Sequence, residues 1–267
     1  MNGDTTNHPS PITHHAVVAV IGGTGMNQWP GLQIERRIAV DTPYGAPSAP
    51  LLEGTVYGTR AIFLARHGEG HKIPPHAINY RANLWALREA GVRSVIAIAA
   101  VGGIAPWFLP GEIAVPTDLI DYTYGREFTY SDGRPGSALH HVEFSEPYAP
   151  SLRRRLLDAA KAAAAPLAGE GVLAVTQGPR LETVAEICRL AKDGCDMVGM
   201  TGMPEAALAR ELDIDYACLA VSVNWAAGVQ GIGDIHAEIA QSIESGMAKV
   251  RAVLAQALPA LSGERVL

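Results

Sequence analysis

Two polar residues, a threonine and an asparagine, each follow an apolar run of the strand type. Thr201 comes directly after a short run, and Asn224 closes the longer run Tyr216–Val223. In an open α/β sheet, ligands bind just beyond the carboxyl ends of the strands. Because such strand ends and their loops often carry binding residues, we expect the Thr201 hydroxyl and the Asn224 carboxamide to form two walls of one pocket.

A second group of residues has the chemistry of an anion site. A glycine turn around Thr24 follows the β-branched run Ala16–Ile21 and exposes backbone N–H groups beside a hydroxyl, enough to hold a small anion. Arg66 and His67 end another strand-like run, and arginine is the natural bidentate partner of phosphate oxygens. Ala99-Ala100 offers backbone amides at a third strand end. These residues together predict one anion held by three strand ends.

The glycine turn does not match a dinucleotide-binding fingerprint. Counted from Gly23, the third glycine of G-x-G-x-x-G is replaced by Gln28. Pro30-Gly31 stands where the phosphate-binding helix would begin. The turn therefore favours a single small anion over a dinucleotide, and a dehydrogenase is disfavoured.

Length and composition predict one globular domain. The chain has 267 residues, of which 48% are hydrophobic, and this is enough to bury a large core. Residues 1–15 are polar and are expected to be a flexible tail, with residues 16–267 forming a single domain. The formal net charge is −6, with charges of both signs scattered along the chain and no basic run typical of nucleic-acid binding.

Two further features bound the compartment and the partners. The longest apolar runs are too short to span a membrane, so no membrane is expected as a partner. Because the sequence has no basic run, a nucleic acid is not expected as a partner either. Only three cysteines occur and none forms a C-x-x-C pair, which disfavours both disulfides and a zinc site. We therefore expect a cytoplasmic protein without a metal.

Strand-like and helix-like patterns alternate in the second half of the chain, while Gly58-Thr59 predicts a hairpin in the first half. This order predicts the α/β class, with a mixed central β-sheet flanked by helices. Other predicted strands are Ser94–Val101, Ile113–Ile120 and Gly171–Val175, and the predicted helices are Tyr80–Ala90, Ser151–Ala165 with Ser151 as N-cap, Glu182–Lys192, Ala206–Leu212 and His236–Leu258.

Several segments, in this order and spacing, resemble the trimeric purine nucleoside phosphorylase and methylthioadenosine phosphorylase family. The resemblance covers about residues 16–258, and the fold it implies is the one expected above. The segments are Gly22-Gly23-Thr24-Gly25, Asp41-Thr42-Pro43-Tyr44-Gly45, Ala65-Arg66-His67-Gly68, Asn79-Tyr80-Arg81-Ala82-Asn83 and Met200-Thr201-Gly202-Met203-Pro204-Glu205. The first four resemble the methylthioadenosine branch, whereas Gly178–Glu186 resembles the 6-oxopurine branch.

The resemblance implies a role for each candidate residue. It implies a homotrimer, with inorganic phosphate as co-substrate and no cofactor. The implied phosphate site comprises Thr24, Arg66, His67, the backbone at Ala99 and Ala100, and Thr201. The implied nucleoside site comprises Met200 against the ribose, Leu181, Glu182, Asn224 and Ala226 around the base, His236 facing the 5′ group, and His141 reaching in from a neighbouring subunit.

The residues at the base predict which purine is bound. A 6-oxopurine carries hydrogen on N1 and accepts at O6, so the Glu182 carboxylate can accept from N1–H while the Asn224 amide donates to O6. The resembling methylthioadenosine branch typically carries aspartates where this chain has Asn224 and Ala226. A base that does not match these two side chains would leave buried polar groups unpaired, at a cost of about 1–3 kcal/mol each. Glu182 and Asn224, the expected catalytic residues, therefore favour a 6-oxopurine.

Several alternatives stay open. The main expectation is phosphorolysis of inosine or guanosine in purine salvage, because His236 suits a 5′-hydroxyl. A methylthioinosine phosphorylase and a methylthioadenosine phosphorylase are the other catalytic alternatives. Leu181 stands where the resembling family usually has phenylalanine, and Ala99 replaces a polar residue. These departures motivate a fourth alternative, a nucleoside-binding protein without activity.

Overall fold

The computed structural model describes residues 17–26, 29–133, 138–230 and 235–262, and for residues 235–238 the backbone only. These residues form ten strands and five α-helices. The strands are β1 (Val17–Gly22), β2 (Gln33–Ile38), β3 (Leu51–Val56), β4 (Thr59–Ala65), β5 (Val92–Gly103), β6 (Ile113–Ala114), β7 (Asp118–Asp121), β8 (Val172–Val175), β9 (Met197–Gly199) and β10 (Asp215–Trp225). The helices are α1 (Tyr80–Glu89), α2 (Pro150–Ala162), α3 (Val184–Lys192), α4 (Gly202–Glu211) and α5 (Ile235–Ser262).

The strands build one mixed sheet, in the order β2-β3-β4-β1-β5-β9-β8-β7, with β10 paired to β5 and β6. Strand β5 lies at its centre, parallel to β1 and β10 and antiparallel to β9. The central strands β1, β5 and β10 are almost wholly buried, as expected of strands covered on both faces. The predicted α/β fold with a mixed sheet flanked by helices is confirmed.

The local sequence signals explain most element boundaries. The β3–β4 hairpin turns at Tyr57 and Gly58, both with positive φ, as the glycine there predicted. Helix α1 begins after Asn79, whose side chain accepts from the Ala82 backbone N–H, and ends before Gly91 at φ +83°. Asparagine and glycine are residue types that favour these two positions.

The predicted bounds were wrong in detail at several elements, two of which lie between β5 and β8. The single strand expected over Ile113–Ile120 is divided into β6, antiparallel to β10, and β7, parallel to β8. Pro116 lies between them and has no N–H to continue a ladder. Helix α2 begins at Pro150 rather than after a capping Ser151, because proline is well suited to the first helical position.

Helix α5 carries the apolar face that the sequence predicted. Met247, Val250 and Leu254 are buried in the core, and Ile239 and Ile243 pack against it while partly exposed. The expected tail at residues 1–15 lies outside the described residues. None of the described helices is long and apolar enough to cross a membrane.

Candidate active site

A cavity of about 510 Å³ is lined by residues just after β1 and β4, by residues 99–102 within β5, and by the carboxyl ends of β9 and β10. Strands β1, β4, β5 and β10 are parallel and direct their carboxyl ends the same way, which is why residues distant in sequence meet there, whereas β9 reaches the cavity antiparallel to β5. Of the predicted site residues whose side chains the structure describes, all but His141 line this cavity: Thr24, Arg66, His67, Ala99, Ala100, Leu181, Glu182, Met200, Thr201, Asn224 and Ala226. The Thr201 hydroxyl and the Asn224 carboxamide are thus walls of one pocket.

Arg66 lies at one end of the cavity in a buried ion pair. Its Nε and Nη2 donate to the two carboxylate oxygens of Glu205 at 2.8 and 2.7 Å, and its Nη1 donates to the Ile98 carbonyl at 2.9 Å. Tyr216 donates its hydroxyl to the same carboxylate at 2.8 Å. Burial alone would lower the pKa of Arg66, but the charge and hydrogen bonds of Glu205 raise it above its ordinary value.

This geometry corrects the expectation that Arg66 would meet phosphate with its bidentate fork. The fork formed by Nε and Nη2 is occupied by Glu205, so an anion in the cavity meets only the remaining N–H groups of Nη1 and Nη2. Glu205 was not predicted as a site residue. The sequence feature that could have indicated Glu205 is a carboxylate directly after Pro204 in an apolar segment, because a charge buried in such a segment requires a partner.

His67 lies beside Arg66 and lines the same end of the cavity. Its Nδ1 is 2.8 Å from the Ile73 carbonyl oxygen, and its ring lies 4.3 Å from the ring of His71, centroid to centroid. Burial, and after it the positive charge of Arg66, lowers the pKa of His67 to about 4. The ring is therefore neutral at neutral pH. Nε2 of His71 in turn lies 3.4 Å from the Thr24 hydroxyl.

Thr201 is the residue at which the chain enters α4. It is buried, and its side chain makes no capping hydrogen bond to the helix. Its hydroxyl is therefore available to a ligand in the cavity. The backbone N–H groups at the start of a helix favour an anion, so Thr201 and Thr24 can hold one from two sides.

Glu182 lies at the other end of the cavity. Helix α3, which was expected to begin at Glu182, begins at Val184 instead. Thr183 is its N-cap, in a capping box with Glu186. The Glu182 side chain is consequently not used by the helix. Its Oε1 accepts from the Thr176 hydroxyl at 2.6 Å, which orients the carboxylate and leaves Oε2 for a ligand.

Asn224 faces the same end of the cavity from β10. Its Nδ2 donates to the Trp225 carbonyl at 2.6 Å, which leaves a second hydrogen on Nδ2 and the acceptor Oδ1. Ala226 is buried nearby, whereas Leu181 is 54% exposed. A ligand at this end would therefore meet one carboxylate, one carboxamide and an exposed leucine side chain.

Two predicted residues remain. His141 is exposed on the long segment between β7 and α2 and does not line the cavity. The side chain of His236 lies outside the described residues. Ile239, also on α5, does line the cavity.

Arg126 is a site-positioning residue that sequence reasoning missed. Its Nη1 donates to the carbonyls of Met200, at 2.9 Å, and Met203, and its Nη2 donates to those of Thr176 and Gln177, at 3.2 and 2.9 Å. The guanidinium is buried, which lowers its pKa. Arg126 thus ties the segment that carries Thr201 to the segment that leads to Glu182.

We expect Arg126→Lys to lower kcat/KM for the reaction expected from the sequence by about tenfold and to destabilise the fold by about 1–3 kcal/mol. Lysine offers three hydrogens from one point, whereas the four carbonyls meet a planar guanidinium. Steady-state kinetics and urea unfolding measure the two effects. Arg189→Lys is the matched control, because Arg189 is exposed on α3, where it pairs with Asp193 and lies over the Tyr122 ring. Wild-type kinetics in Arg126→Lys would contradict this role.

Comparisons with known proteins identify the family of this chain. The model of the phosphorylase superfamily matches residues 17–259. A probable S-methyl-5′-thioinosine phosphorylase of Pseudomonas syringae pathovar tomato is 53% identical, with 91% of this chain and 99% of the relative aligned. A 6-oxopurine nucleoside phosphorylase of Pyrococcus furiosus is 40% identical over 93% of this chain and 94% of its own length.

The solved structures lead to the same family. Methylthioadenosine phosphorylase from Schistosoma mansoni, in complex with adenine, superposes with a TM-score of 0.86 at 30% identity, over 93% of each chain. The family model and the relatives each cover nearly the whole described chain. This chain therefore belongs to the phosphorylase superfamily and is a nucleoside phosphorylase, a pentosyltransferase.

Proposed function

We propose that this enzyme catalyses the phosphorolysis of 6-oxopurine nucleosides and that its preferred substrate is S-methyl-5′-thioinosine. The products are hypoxanthine and the 1-phosphate of 5-methylthioribose. The observation that carries the proposal is that Glu182 and Asn224 line the same cavity as Thr24, Arg66 and Thr201.

The base is assigned from the hydrogen-bond inventory of these two side chains. Glu182 has Oε2 left to accept from N1–H, since Oε1 is taken by Thr176. Asn224 has one hydrogen left to donate to O6, and its Oδ1 can accept a hydrogen bond from a protonated N7. Adenine would present an acceptor at N1 to the carboxylate, and sites built on such pairs discriminate by up to roughly 10⁴-fold.

The 5′ group is assigned from the apolar lining of the cavity. Ile73 and Pro74, which follow the phosphate-side residues, and Ile239 from α5 all line it. These apolar side chains favour a methylthio group over a hydroxyl, because burying a polar group against them is costly. The probable methylthioinosine phosphorylase among the relatives supports the same assignment.

The proposed mechanism needs only positioning and electrostatics. Phosphate held by Thr24, Arg66 and Thr201 attacks C1′ while the C1′–N9 bond breaks and its electron pair leaves with the purine. The sugar becomes oxocarbenium-like and is stabilised by the phosphate charge. Asn224 donates to O6, where the leaving purine gathers negative charge. The purine takes up at N7 the proton that the attacking hydrogen phosphate loses, and Asn224 Oδ1 accepts a hydrogen bond from that N7–H. No covalent enzyme nucleophile, metal or cofactor enters the scheme.

We further infer that the active unit is a homotrimer in the cytoplasm. The segment between β7 and α2 exposes three large apolar side chains, with Tyr124 at 73%, Phe128 at 64% and Leu139 at 78%, and it carries His141. Such a surface is typical of a subunit interface. Three free cysteines support a reducing compartment. A fully active monomer in sedimentation experiments would refute the trimer.

The deciding experiment compares three nucleosides, S-methyl-5′-thioinosine, inosine and S-methyl-5′-thioadenosine, with and without phosphate. We expect base release only with phosphate, with methylthioinosine preferred over inosine by about tenfold and over methylthioadenosine by about a hundredfold or more in kcat/KM. A preference for methylthioadenosine would refute the base assignment. Absence of base release from all three would refute catalysis.

A second candidate is an inosine or guanosine phosphorylase. The Glu182 carboxylate can accept from the 2-amino group of guanine as well as from N1–H, and a 6-oxopurine nucleoside phosphorylase is among the relatives. A preference for inosine over methylthioinosine in the same assay would select this candidate and overturn the assignment of the 5′ group.

A further inference from the structure

The proton on the His67 ring can be located from its surroundings. Nδ1 lies 2.8 Å from the Ile73 carbonyl oxygen, and a carbonyl can only accept, so Nδ1 carries the hydrogen. The turn that places this carbonyl is itself closed on His67. The backbone N–H groups of Lys72 and Ile73 both donate to the His67 carbonyl, at 3.0 and 2.9 Å. The tautomer is thus set by the backbone and does not depend on a ligand.

The other ring nitrogen, Nε2, is the one left to a ligand, since His67 lines the cavity. Burial, and after it the positive charge of Arg66, opposes a second proton on the ring and lowers the pKa of His67 to about 4. At neutral pH, Nε2 is therefore a bare lone pair. It can accept a hydrogen bond but cannot donate one.

The positive charge of Arg66, beside His67, is already balanced by a buried carboxylate. Arg66 is paired in bidentate fashion with Glu205, and both side chains are at most 1% exposed. An anion in this end of the cavity is held mainly by hydrogen bonds from hydroxyls, N–H groups and the free hydrogens of Arg66. Under these conditions the match between donors and acceptors decides which anion binds.

We propose that His67 is a specificity-determining residue that accepts a hydrogen bond from a protonated oxygen of the bound anion, and so selects hydrogen phosphate over sulfate. This inference rests on the proposed phosphate site. Hydrogen phosphate and sulfate are dianions of the same shape at mildly alkaline pH, but only the phosphate carries a hydrogen. A sulfate oxygen would set a lone pair against the lone pair of Nε2 and leave both unsatisfied.

Isothermal titration calorimetry with inorganic phosphate and sulfate at mildly alkaline pH tests the proposal. We expect the wild-type enzyme to bind phosphate at least about tenfold more tightly than sulfate. His67→Ala should weaken phosphate binding by about tenfold while sulfate binding stays within about twofold. Equal affinities in the wild type, or equal losses for both anions in His67→Ala, would overturn it.

Thr201→Val is the matched control, because its buried hydroxyl can donate to either anion. It should weaken phosphate and sulfate by similar factors. If the anion selectivity changed as much in Thr201→Val as in His67→Ala, the effect would not belong to His67.

A second measurement needs no variant. In the phosphate complex of wild-type enzyme labelled with ¹⁵N-histidine, we expect His67 to show a protonated Nδ1 and an unprotonated Nε2. A protonated Nε2 would overturn the proposal. An assay of base release with the same wild-type preparation distinguishes a failure of the proposed function from a failure of the proposal for His67. Absence of base release would refute the phosphorylase activity, whereas activity with equal phosphate and sulfate affinities would refute only the role of His67.

Discussion

Glu205→Ala is expected to lower the free energy of unfolding by about 3–5 kcal/mol. The substitution leaves the Arg66 guanidinium charged and buried without its carboxylate, and it removes the acceptor of the Tyr216 hydroxyl. Both groups are almost wholly inaccessible to water, so neither can be rehydrated without opening the core. Equilibrium unfolding in guanidinium chloride, followed by circular dichroism, measures the loss.

Further variants test whether this loss of stability comes from breaking the buried ion pair. Glu69→Ala breaks the surface ion pair between Glu69 and Arg37, whose side chains are 66% and 60% exposed respectively. It should lower the free energy of unfolding by about 1 kcal/mol or less. Arg66→Met combined with Glu205→Leu removes both buried charges. It should recover stability relative to Glu205→Leu alone, yet phosphate binding should stay weak. A Glu205→Ala protein as stable as Glu69→Ala would refute the buried ion pair.

Asn224→Asp should shift substrate selectivity toward adenine nucleosides by about a hundredfold. We expect the ratio of kcat/KM for methylthioinosine to that for methylthioadenosine to fall by this factor, about 2.7 kcal/mol. An aspartate sets a second acceptor against O6 of a 6-oxopurine, whereas it can accept from the 6-amino group of adenine. Steady-state assays with both nucleosides at saturating phosphate measure the ratio.

Asn224→Ala is the control for this prediction. It removes the carboxamide and its bond to the Trp225 carbonyl without adding a charge. It should therefore lower kcat/KM for both nucleosides and leave the ratio within a few-fold of the wild type. If Asn224→Asp lowered both activities equally, as Asn224→Ala is expected to do, Asn224 would not read the base.

The segment near Glu182 shows where local patterns gave an incomplete prediction. The sequence indicated a helix there, and Glu182 was placed in its first turn. The capping box between Thr183 and Glu186 instead starts α3 at Val184 and leaves Glu182 outside the helix. The box was readable as T-x-x-E in the sequence. The bond from Thr176 to the Glu182 carboxylate, which gives the side chain its orientation, was not readable there.

The sequence by itself determined the α/β class, most of the elements and the set of strand ends that meet at the cavity. These follow from hydrophobic periodicity, from glycine and proline positions, and from the rule that parallel strands present their carboxyl ends at one edge. Each of these signals acts over a few residues, so it can be read along the chain. The family motifs added candidate roles at the same positions.

Only the tertiary structure decided which groups the site residues bind. Arg66 meets a carboxylate 139 residues away, and Arg126 reaches carbonyls 50 to 77 residues away. His67 acquires its tautomer from the Ile73 carbonyl, whose position depends on how the turn closes. Hydrogen bonds act over about 3 Å, so partners far apart in sequence are defined only once the folded chain has brought them together.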